Sequence, residues 1–343
     1  MPSTHTQSAG QASRQPTLED VARQAGVSRA TASRVVNQDP RVGLPARESV
    51  EAAILSLGYR PNRAARSLVR READSIAVVV PEAEDRIFTD PFFSAILGAV
   101  YTKLADSPVQ VLLAVAPPGK REKIERYLRG GYTDGAIIVS HHLDDGISEV
   151  LRETRLPSVY IGRPYAGDVG LPYVDVDNVR GAEMAVRRLV DGGRRRIATI
   201  AGPQDMAAAS DRLEGFRRAM AEAGLEDDLV EVGDFTAASG GECAVRLLER
   251  DPGLDAIFVA SDLMAVPALQ ELQIRGVSVP EQVAVIGYDD SEVARLARPP
   301  LTTVEGRAAG LAHNAVEMLS DLMAGKTAES RLLSTNLVLR ESG

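Results

Sequence analysis

Residues 17–37 read TLEDVARQAGVSRATASRVVN and predict two short helices joined by a tight turn. Thr17 can cap the first helix and Ser28 the second, and apolar residues follow each cap at helical spacing. Gly26 stands between the two helices, where glycine permits a sharp change of chain direction. The stretch therefore has the pattern of a helix-turn-helix.

The outward face of the second predicted helix carries hydrogen-bonding and small side chains, with no acidic residue among them. Its members are Arg29, Ala30, Ser33, Arg34 and Asn37. Such a helix fits the major groove of DNA, where arginine can bond bidentately to guanine and small residues allow close approach. The alternative is an ordinary surface helix pair within a larger domain. A third helix, predicted over residues 46–57, favours the first interpretation, because three helices in about 45 residues are typical of a small nucleic-acid reader.

The charge of the chain is divided unevenly. Residues 1–71 carry 11 arginines, no lysine and five acidic residues, a net charge of +6, whereas the remaining residues carry 28 basic and 43 acidic residues, a net charge of −15. A basic head is attracted to phosphate, and an acidic body is repelled from it. The distribution therefore favours DNA binding by the head alone.

The composition also disfavours several classes of protein. No apolar run approaches the ~20 residues of a membrane helix, and the polar N-terminus has no signal-peptide core, so residues 1–16 are predicted to be a disordered tail. The single cysteine, Cys243, cannot form an internal disulfide and favours a cytoplasmic location. The histidines show no metal-ligand spacing, and the sequence has no phosphate loop or nucleophile elbow. We therefore expect no enzyme, no metal site and no cofactor.

From Ser75 onward, short apolar runs alternate with helical stretches. The first run, SIAVVV at residues 75–80, is typical of a strand buried on both faces, and similar runs begin at residues 109, 135, 158, 197, 256 and 283. This order predicts an α/β fold with parallel sheets covered by helices, and the number of strands favours two lobes over one sheet. Ligands in such folds bind where strands end, so a cleft between the lobes is the expected ligand site.

Polar and aromatic residues follow several of these predicted strands. Asp90, Phe93, Arg163, Arg212, Phe235, Asp262 and Asp289 are the candidates for the ligand site. Carboxylate and guanidinium groups beside aromatic rings suit a polyhydroxylated or planar ligand. Each residue also has a structural explanation, since Asp262 can cap a helix and Arg163 can pair with an acid. Their position at successive strand ends favours a pocket.

The motifs together resemble the LacI/GalR family of transcription regulators over nearly all of residues 17–342. The head motif at 17–37, GYRPN at 58–62 and ARSL at 65–68 carry the resemblance in the first part of the chain. Downstream, DPFF, VPEQVAVIGYDD, PPLTTV and LVLRESG are similar to the effector-binding core of that family. The resemblance implies a helix-turn-helix head, a hinge helix and a two-lobed core like that of periplasmic sugar-binding proteins.

The resemblance implies a role for each matching position. Arg29 and Ala30 would read bases, with Arg34 as a further base or phosphate contact. The other DNA-binding positions would be Thr17, Ser28, Ser33, Asn37, Tyr59, Asn62, Ala65 and Leu68. Leu68 would be the hinge-helix wedge in the minor groove, where an apolar side chain kinks DNA. In the core, the seven candidates named above match effector-lining positions, with Phe93 as a stacking face and Arg212 and Asp289 as hydrogen-bonding groups.

The resemblance also implies the domain boundaries. They are a tail at 1–16, a head at 17–61, a hinge and linker at 62–74, an N-lobe at 75–173 with 304–328, and a C-lobe at 174–303 with 329–343. Because no leucine heptads follow the core, we expect a homodimer on a pseudo-palindromic operator, away from any membrane. We predict a repressor of sugar uptake or catabolism genes that is controlled by a small effector. Three alternatives remain: control by a nucleobase or nucleoside, activation of transcription, and a solute-binding protein without a transcriptional role.

Overall fold

The computed structural model describes residues 16–59, 73–117, 120–143, 146–165 and 170–343, and the chain forms two compact units, residues 1–72 and 73–343. The predicted hinge helix, with Asn62, Ala65 and Leu68, lies outside the described residues, as does the predicted tail up to residue 15. Within the described ranges, no helix is both long enough and apolar enough to cross a membrane.

The first unit contains the three predicted helices, α1 (Leu18–Gln24), α2 (Arg29–Val36) and α3 (Leu44–Leu57). The cap of α1 is reciprocal, since the Asp20 backbone N–H donates to Thr17 Oγ1 and Asp20 Oδ2 accepts from the Thr17 backbone N–H at 2.9 Å. Ser28 Oγ caps α2 by accepting from the Thr31 backbone N–H at 3.1 Å. A small apolar core joins the three helices and contains Val21, Ala22, Ala32, Val35, Val50 and Ala53. The helix-turn-helix prediction is confirmed.

The second unit alternates strands and helices. In chain order its elements are β1 (Ser75–Val80), α4 (Glu84–Thr89), α5 (Pro91–Lys103), β2 (Gln110–Val115), α6 (Glu122–Arg129), β3 (Gly135–Val139), α7 (Ile147–Thr154), β4 (Ser158–Ile161), β5 (Tyr173–Val176), α8 (Asn178–Asp191), β6 (Ile197–Ala201), α9 (Ala207–Glu222), β7 (Val230–Val232), α10 (Ala237–Arg250), β8 (Ala256–Val259), α11 (Asp262–Ile274), β9 (Ala284–Asp289), α12 (Glu292–Leu296), β10 (Thr302–Glu305), α13 (Ala308–Met323), β11 (Arg331–Leu333) and β12 (Leu337–Val338).

These strands form two six-stranded sheets within the described residues, in the orders β11-β5-β4-β3-β1-β2 and β12-β10-β9-β8-β6-β7. All paired strands are parallel except β12, which runs antiparallel to β10. Apolar residues of β1 alternate between two core clusters, one on each face of the first sheet. Two further clusters cover the faces of the second sheet. Each sheet is therefore the centre of one lobe, as the apolar runs predicted.

Two strands lie in a lobe other than the one that the predicted boundaries gave them. Strand β5, of which all but the first residue falls in the range assigned to the C-lobe, and strand β11, which falls in it entirely, both lie in the first sheet. Neither carries an uninterrupted apolar run, because β5 contains buried Asp175 and β11 is a short edge strand that begins with Arg331. The chain therefore passes between the lobes after β5, after β10 and after β11.

Candidate functional site

The carboxyl ends of the strands in both sheets face a cleft between the two lobes. Its inner part encloses a cavity of about 90 Å³, and a wider cavity of about 610 Å³ adjoins it and shares the lining residues Asp90, Phe92, Asp289 and Gly306. Ligand pockets usually measure about 300–1,000 Å³. The inner cavity alone is therefore smaller than a usual ligand pocket, and a ligand of ordinary size would extend into the wider cavity or widen the inner one.

Arg212 is fixed at the floor of the cavity by groups of the second lobe. Its Nε donates to Asn178 Oδ1 at 2.9 Å, its Nη1 donates to the Ala260 carbonyl at 2.6 Å, and Asp289 Oδ1 lies 3.5 Å from Nη1. The guanidinium also lies 3.6 Å from the centre of the Tyr288 ring, a close cation–π contact. The sequence placed Arg212 at the start of a helix, whereas α9 begins five residues earlier, at Ala207. Arg212 is therefore held in one orientation before any ligand binds.

Arg163 joins the two lobes on one side of the cleft. Its Nη2 lies 2.7 Å from Asp211 Oδ1 of the second lobe, and its backbone N–H donates to Asp175 Oδ2 at 2.8 Å. Burial raises the pKa of Asp175, although two backbone hydrogen bonds oppose this shift. Asp175 lines the cavity and was not among the predicted site residues. It was missed because its strand lacks an apolar run.

The aromatic wall of the first lobe differs from the prediction. Phe93 is buried in the core of the lobe with 1 % of its surface exposed, and Phe92 lines the cavity in its place. Asp90, which also lines the cavity, caps α5 by accepting from the Phe92 backbone N–H at 2.9 Å. Helix α5 begins at Pro91, so Phe93 is its third residue, and the helix turns this side chain towards the sheet. The assignment of Phe93 to the cavity wall was therefore wrong by one residue.

Asp262 is completely buried and does not line the cavity, whereas its neighbour Ser261 does. Its carboxylate accepts hydrogen bonds from the backbone N–H and the hydroxyl of Ser291 and from the hydroxyl of Thr303. Burial nevertheless raises the pKa of Asp262 to about 7. Its contacts are those of a structural residue that holds the segment after β9, so the predicted lining role is wrong. The predicted residues Asp289 and Phe235 do line the cavity.

A cluster around Glu82 was not predicted from the sequence. The Glu82 carboxylate is 4 % exposed and accepts from Arg86, from Ser140 Oγ at 2.6 Å and from His142 Nε2 at 3.1 Å. His142 Nδ1 also lies 2.7 Å from Asp205 Oδ2 of the second lobe. Burial opposes the ionisation of Glu82, but these partners outweigh it and lower its pKa. The hydrogen bond to Glu82 raises the pKa of His142 to about 9. The signal in the sequence was the pair His141-His142 directly after a buried strand.

The outward face of α2 is open to solvent, as predicted. Arg29, Ala30, Arg34 and Asn37 are exposed, and Ser33 is half-buried. An acid does lie close to this face, because Glu19 of α1 pairs with Arg29 at 2.8 Å. Both side chains are more than half exposed, so this pair contributes little to stability and is easily replaced by another partner. Thr17 and Ser28 use their hydroxyls as helix caps, and the Tyr59 backbone N–H closes α3 on the Ile54 carbonyl.

Metal-ligating side chains are not clustered in the described part of the chain. Among those residues, no group of three or more His, Cys, Asp or Glu side chains is placed to hold a metal ion. Cys243 is buried in the second lobe, and burial raises the pKa of its thiol, which disfavours a nucleophilic thiolate. The groups that line the cavity are arginines, carboxylates and aromatic rings, which can recognise a ligand by hydrogen bonds and aromatic contact.

Comparison with known proteins agrees with this architecture. Residues 17–62 match the model of the bacterial regulatory proteins of the lacI family, and residues 186–343 match a periplasmic binding protein-like domain. The HTH-type transcriptional regulator CelR of Thermobifida fusca is 46 % identical over 340 residues, which cover 96 % of this chain and 99 % of CelR.

Solved structures of transcriptional regulators are similar to this chain over nearly its full length. A transcriptional regulator CelR–cellobiose complex is 44 % identical, with a TM-score of 0.77, and covers 96 % of this chain and 100 % of that one. A lac repressor dimer bound to operator and the anti-inducer ONPF is 28 % identical, with a TM-score of 0.84, over 96 % of this chain and 99 % of that one. The chain belongs to the LacI family of bacterial regulatory proteins. It is an effector-responsive, DNA-binding transcriptional regulator and not an enzyme.

Proposed function

We propose that this protein is a cytoplasmic, homodimeric repressor of genes for the uptake or breakdown of a β-linked glucose disaccharide, with cellobiose as the effector. CelR, at 46 % identity over almost the full length of both chains, and its complex with cellobiose support this choice. Operator binding by a dimer is supported by the lac repressor dimer on its operator, which shares the fold.

The observation that carries the proposal is the charge balance of the cleft. Arg86, Arg163 and Arg212 all line the cavity, and each has a carboxylate partner in Glu82, Asp211 and Asp289, respectively. An anionic effector would have to displace one of these carboxylates. A neutral ligand with many hydroxyl groups can instead bond to the remaining donor and acceptor atoms without separating a charge pair.

Aromatic side chains add the second requirement of a sugar site. Phe92 comes from the first lobe and Phe235 from the second, and both line the cavity. A pyranose ring has apolar C–H faces that pack against aromatic rings, while its hydroxyls point to the polar groups around it. We therefore assign the effector-binding role to Asp90, Phe92, Arg163, Arg212, Phe235 and Asp289.

For DNA, we assign base recognition to Arg29 and Ala30 on the open face of α2. Arg34, Ser33 and Asn37 lie on the same face and supply further base or phosphate contacts. Thr17, Ser28, Tyr59, Asn62, Ala65 and Leu68 keep the DNA-binding roles that the family resemblance implies. Control of DNA binding then follows from differential affinity. An effector that binds one arrangement of the lobes more tightly shifts the protein towards that arrangement, and operator affinity changes accordingly.

The test is an operator-binding titration with an effector panel. Fluorescence anisotropy would measure binding of the full-length protein to the DNA upstream of its own gene, with cellobiose, lactose, glucose, ribose, adenosine and cytidine added separately. We expect specific binding that cellobiose weakens at least 10-fold. A response to adenosine or cytidine alone would replace the sugar by a nucleoside. Tighter binding with cellobiose would reverse the direction of control, and no response to any sugar would refute the proposed effector class.

A further inference from the structure

We infer that Arg86 is a sugar-contacting residue that determines which effector the cleft accepts. Its Nε–H would donate to a hydroxyl or ring oxygen of the bound saccharide, and Glu82 would hold the guanidinium in place for that contact. The inference rests on the proposed sugar effector and names a contact residue that the sequence motifs did not indicate.

Arg86 carries a buried donor without a partner. Its side chain, on α4, lines the inner cavity and is 11 % exposed, and its Nη1 pairs with Glu82. Its Nε is inaccessible to solvent and has no hydrogen-bond partner among the described residues. A buried N–H without an acceptor is unfavourable, so nearly all such groups in folded proteins are paired. A ligand oxygen that widens the small cavity which Arg86 lines would reach this N–H and satisfy it.

The guanidinium of Arg86 is held firmly enough to select a ligand. Glu82 is itself fixed, since it also accepts from Ser140 Oγ at 2.6 Å and from His142 Nε2 at 3.1 Å. The Arg86 Cζ atom also lies 5.8 Å from the centre of the Phe93 ring and 5.3 Å from that of Phe235, both within the range of cation–π contacts. A donor positioned in this way loses little entropy when it binds, and this favours discrimination between similar sugars.

Arg86 also contacts both walls of the cleft. Arg86, Glu82 and Phe93 belong to the first lobe, whereas Phe235 belongs to the second. The neighbouring His142 reaches the second lobe as well, through Asp205 Oδ2 at 2.7 Å. An effector that bonds to Arg86 therefore binds where the lobes meet, and its affinity is coupled to their separation.

The other two arginines of the cleft differ from Arg86 in the hydrogen-bond partners of their nitrogens. Arg212 has its Nε bonded to Asn178 and its Nη1 bonded to the Ala260 carbonyl. Arg163 has its Nη2 bonded to Asp211 across the lobes. Arg86 is the arginine of the inner cavity for which a buried, unsatisfied nitrogen is observed. The Nε–H of Arg86 is therefore the donor best suited to form a new hydrogen bond to an effector oxygen.

The variant Arg86→Lys tests the inference, because lysine keeps the positive charge beside Glu82 and lacks the Nε–H. Isothermal titration of the full-length protein would measure the affinity for cellobiose and for a set of monodeoxy cellobioses. We expect Arg86→Lys to bind cellobiose about 10-fold to 100-fold more weakly, as for loss of a charge-assisted hydrogen bond. The thermal midpoint of Arg86→Lys, measured on the same samples, checks that the variant stays folded. Arg187→Lys, at an exposed arginine paired with Glu222, is the matched control and should bind cellobiose like the original protein.

The deoxy series separates contact from general disturbance. If Nε donates to a hydroxyl, the analogue that lacks this hydroxyl should bind both proteins alike, whereas every other analogue should bind Arg86→Lys more weakly. If Nε donates to the ring or glycosidic oxygen, the corresponding carbocyclic or thio-linked analogue should show this behaviour. Equal weakening of all analogues, or unchanged affinity for all, would overturn the inference while leaving the sugar effector intact. Absence of binding of any sugar to the original protein would overturn the proposed function, and this inference with it.

Discussion

The open face of α2 and the cleft of the core use the same residue type in opposite ways. Arg29 is 71 % exposed and has one exposed ion-pair partner, whereas Arg212 is 10 % exposed and contacts Asn178, Ala260, Tyr288 and Asp289. DNA supplies its own high negative charge, so a reading face only has to keep its donors available. A small neutral ligand supplies no net charge, so its site must be arranged in advance.

The two sites also differ in how much of the chain builds them. The reading face lies on one helix of eight residues, whose cap and periodicity are local. The cleft combines residues from 86 to 311, which only the folding of two sheets brings together. A site on a single helix stays exposed and weakly paired, whereas a site assembled from two lobes is buried and extensively paired. The same perturbation applied to both sites should therefore have different effects.

Salt should produce the largest difference between the two sites. If ~6–10 phosphates are contacted, operator affinity should fall by about 10³–10⁵ between 50 and 200 mM salt, because counterions are released from DNA on binding. Cellobiose affinity should change less than about 2-fold, because each cleft arginine is already paired with a carboxylate that is mostly shielded from solvent. Anisotropy for DNA and calorimetry for sugar would measure both in the same buffers.

A flat salt response of operator binding would refute the phosphate contacts assigned to the head. A steep response of sugar binding would instead show that the effector carries charge. In that case the charge pairs at Arg163 and Arg212 could not both remain intact in the complex.

Loss of Arg212 should be the most damaging single substitution in the cleft. Arg212→Met would leave Asn178 Oδ1 and the Ala260 carbonyl buried without their donor and would remove the positive charge beside Asp289, and a loss of two such buried hydrogen bonds to a charged group costs about 3–5 kcal/mol. The free energy of unfolding, from circular dichroism in urea, should fall by that amount, and sugar binding should be lost. Arg29→Ala is the comparison and should change stability by no more than ~0.5 kcal/mol, as an exposed substitution. A stable Arg212→Met protein would show that the buried network is not required.

The sequence predicted the head and the two-lobed fold because both depend on local patterns. The runs at 75–80, 135–139 and 158–161 are strands with those bounds, since continuous apolar residues mark a buried parallel strand. Strands β5 and β11 were not predicted, because neither contains such a run. A lone edge strand has few side chains that must be buried.

The cleft residues were predicted in part, for a related reason. Asp90, Arg163, Phe235 and Asp289 lie at strand ends or in loops, Arg212 lies in the second turn of α9, and all five line the cavity. Phe93 is the third residue of α5, and helix phase turns it to the core. Asp262 begins α11, and three hydrogen bonds from Ser291 and Thr303 hold it away from the cavity. Glu82 and Arg86 could not be selected, because their roles depend on Phe235 and His142, which lie far along the chain.

Arg29→Ala should affect recognition more than affinity in general. Removing a bidentate contact to guanine should lower discrimination at one base pair by about 1–3 kcal/mol and leave sugar binding unchanged. Competition binding with a set of operators, each altered at one base pair, would show the position that loses its preference. Equal weakening on all sequences would assign Arg29 to phosphate instead.

Glu19, the exposed ion-pair partner of Arg29, should have a smaller effect on operator affinity, and its loss should raise that affinity. Glu19→Gln frees Arg29 from an ion pair that contributes at most ~1 kcal/mol, so operator affinity should rise by less than about 5-fold. Glu48→Gln, also on the surface of the head, removes one acidic charge without touching Arg29 and serves as the control. An equal rise in both variants would mean that net charge, and not release of Arg29, is responsible.

The smallest expected effect concerns His142, which joins the lobes between Glu82 and Asp205. Its pKa is raised from 6.5 to about 9, first by the hydrogen bond to Glu82, so the folded protein holds a proton that the unfolded chain loses. The resulting stability is fully present below pH 6.5 and is lost as the pH rises through about 9. His141, whose pKa burial lowers to about 4, does not titrate in this range. Because His142 is partly exposed, the contribution is about 1 kcal/mol after solvent screening. The difference in unfolding free energy between the original protein and His142→Gln should therefore shrink between pH 6.5 and 9.5. A constant difference would show that the histidine bridges the lobes without a charge.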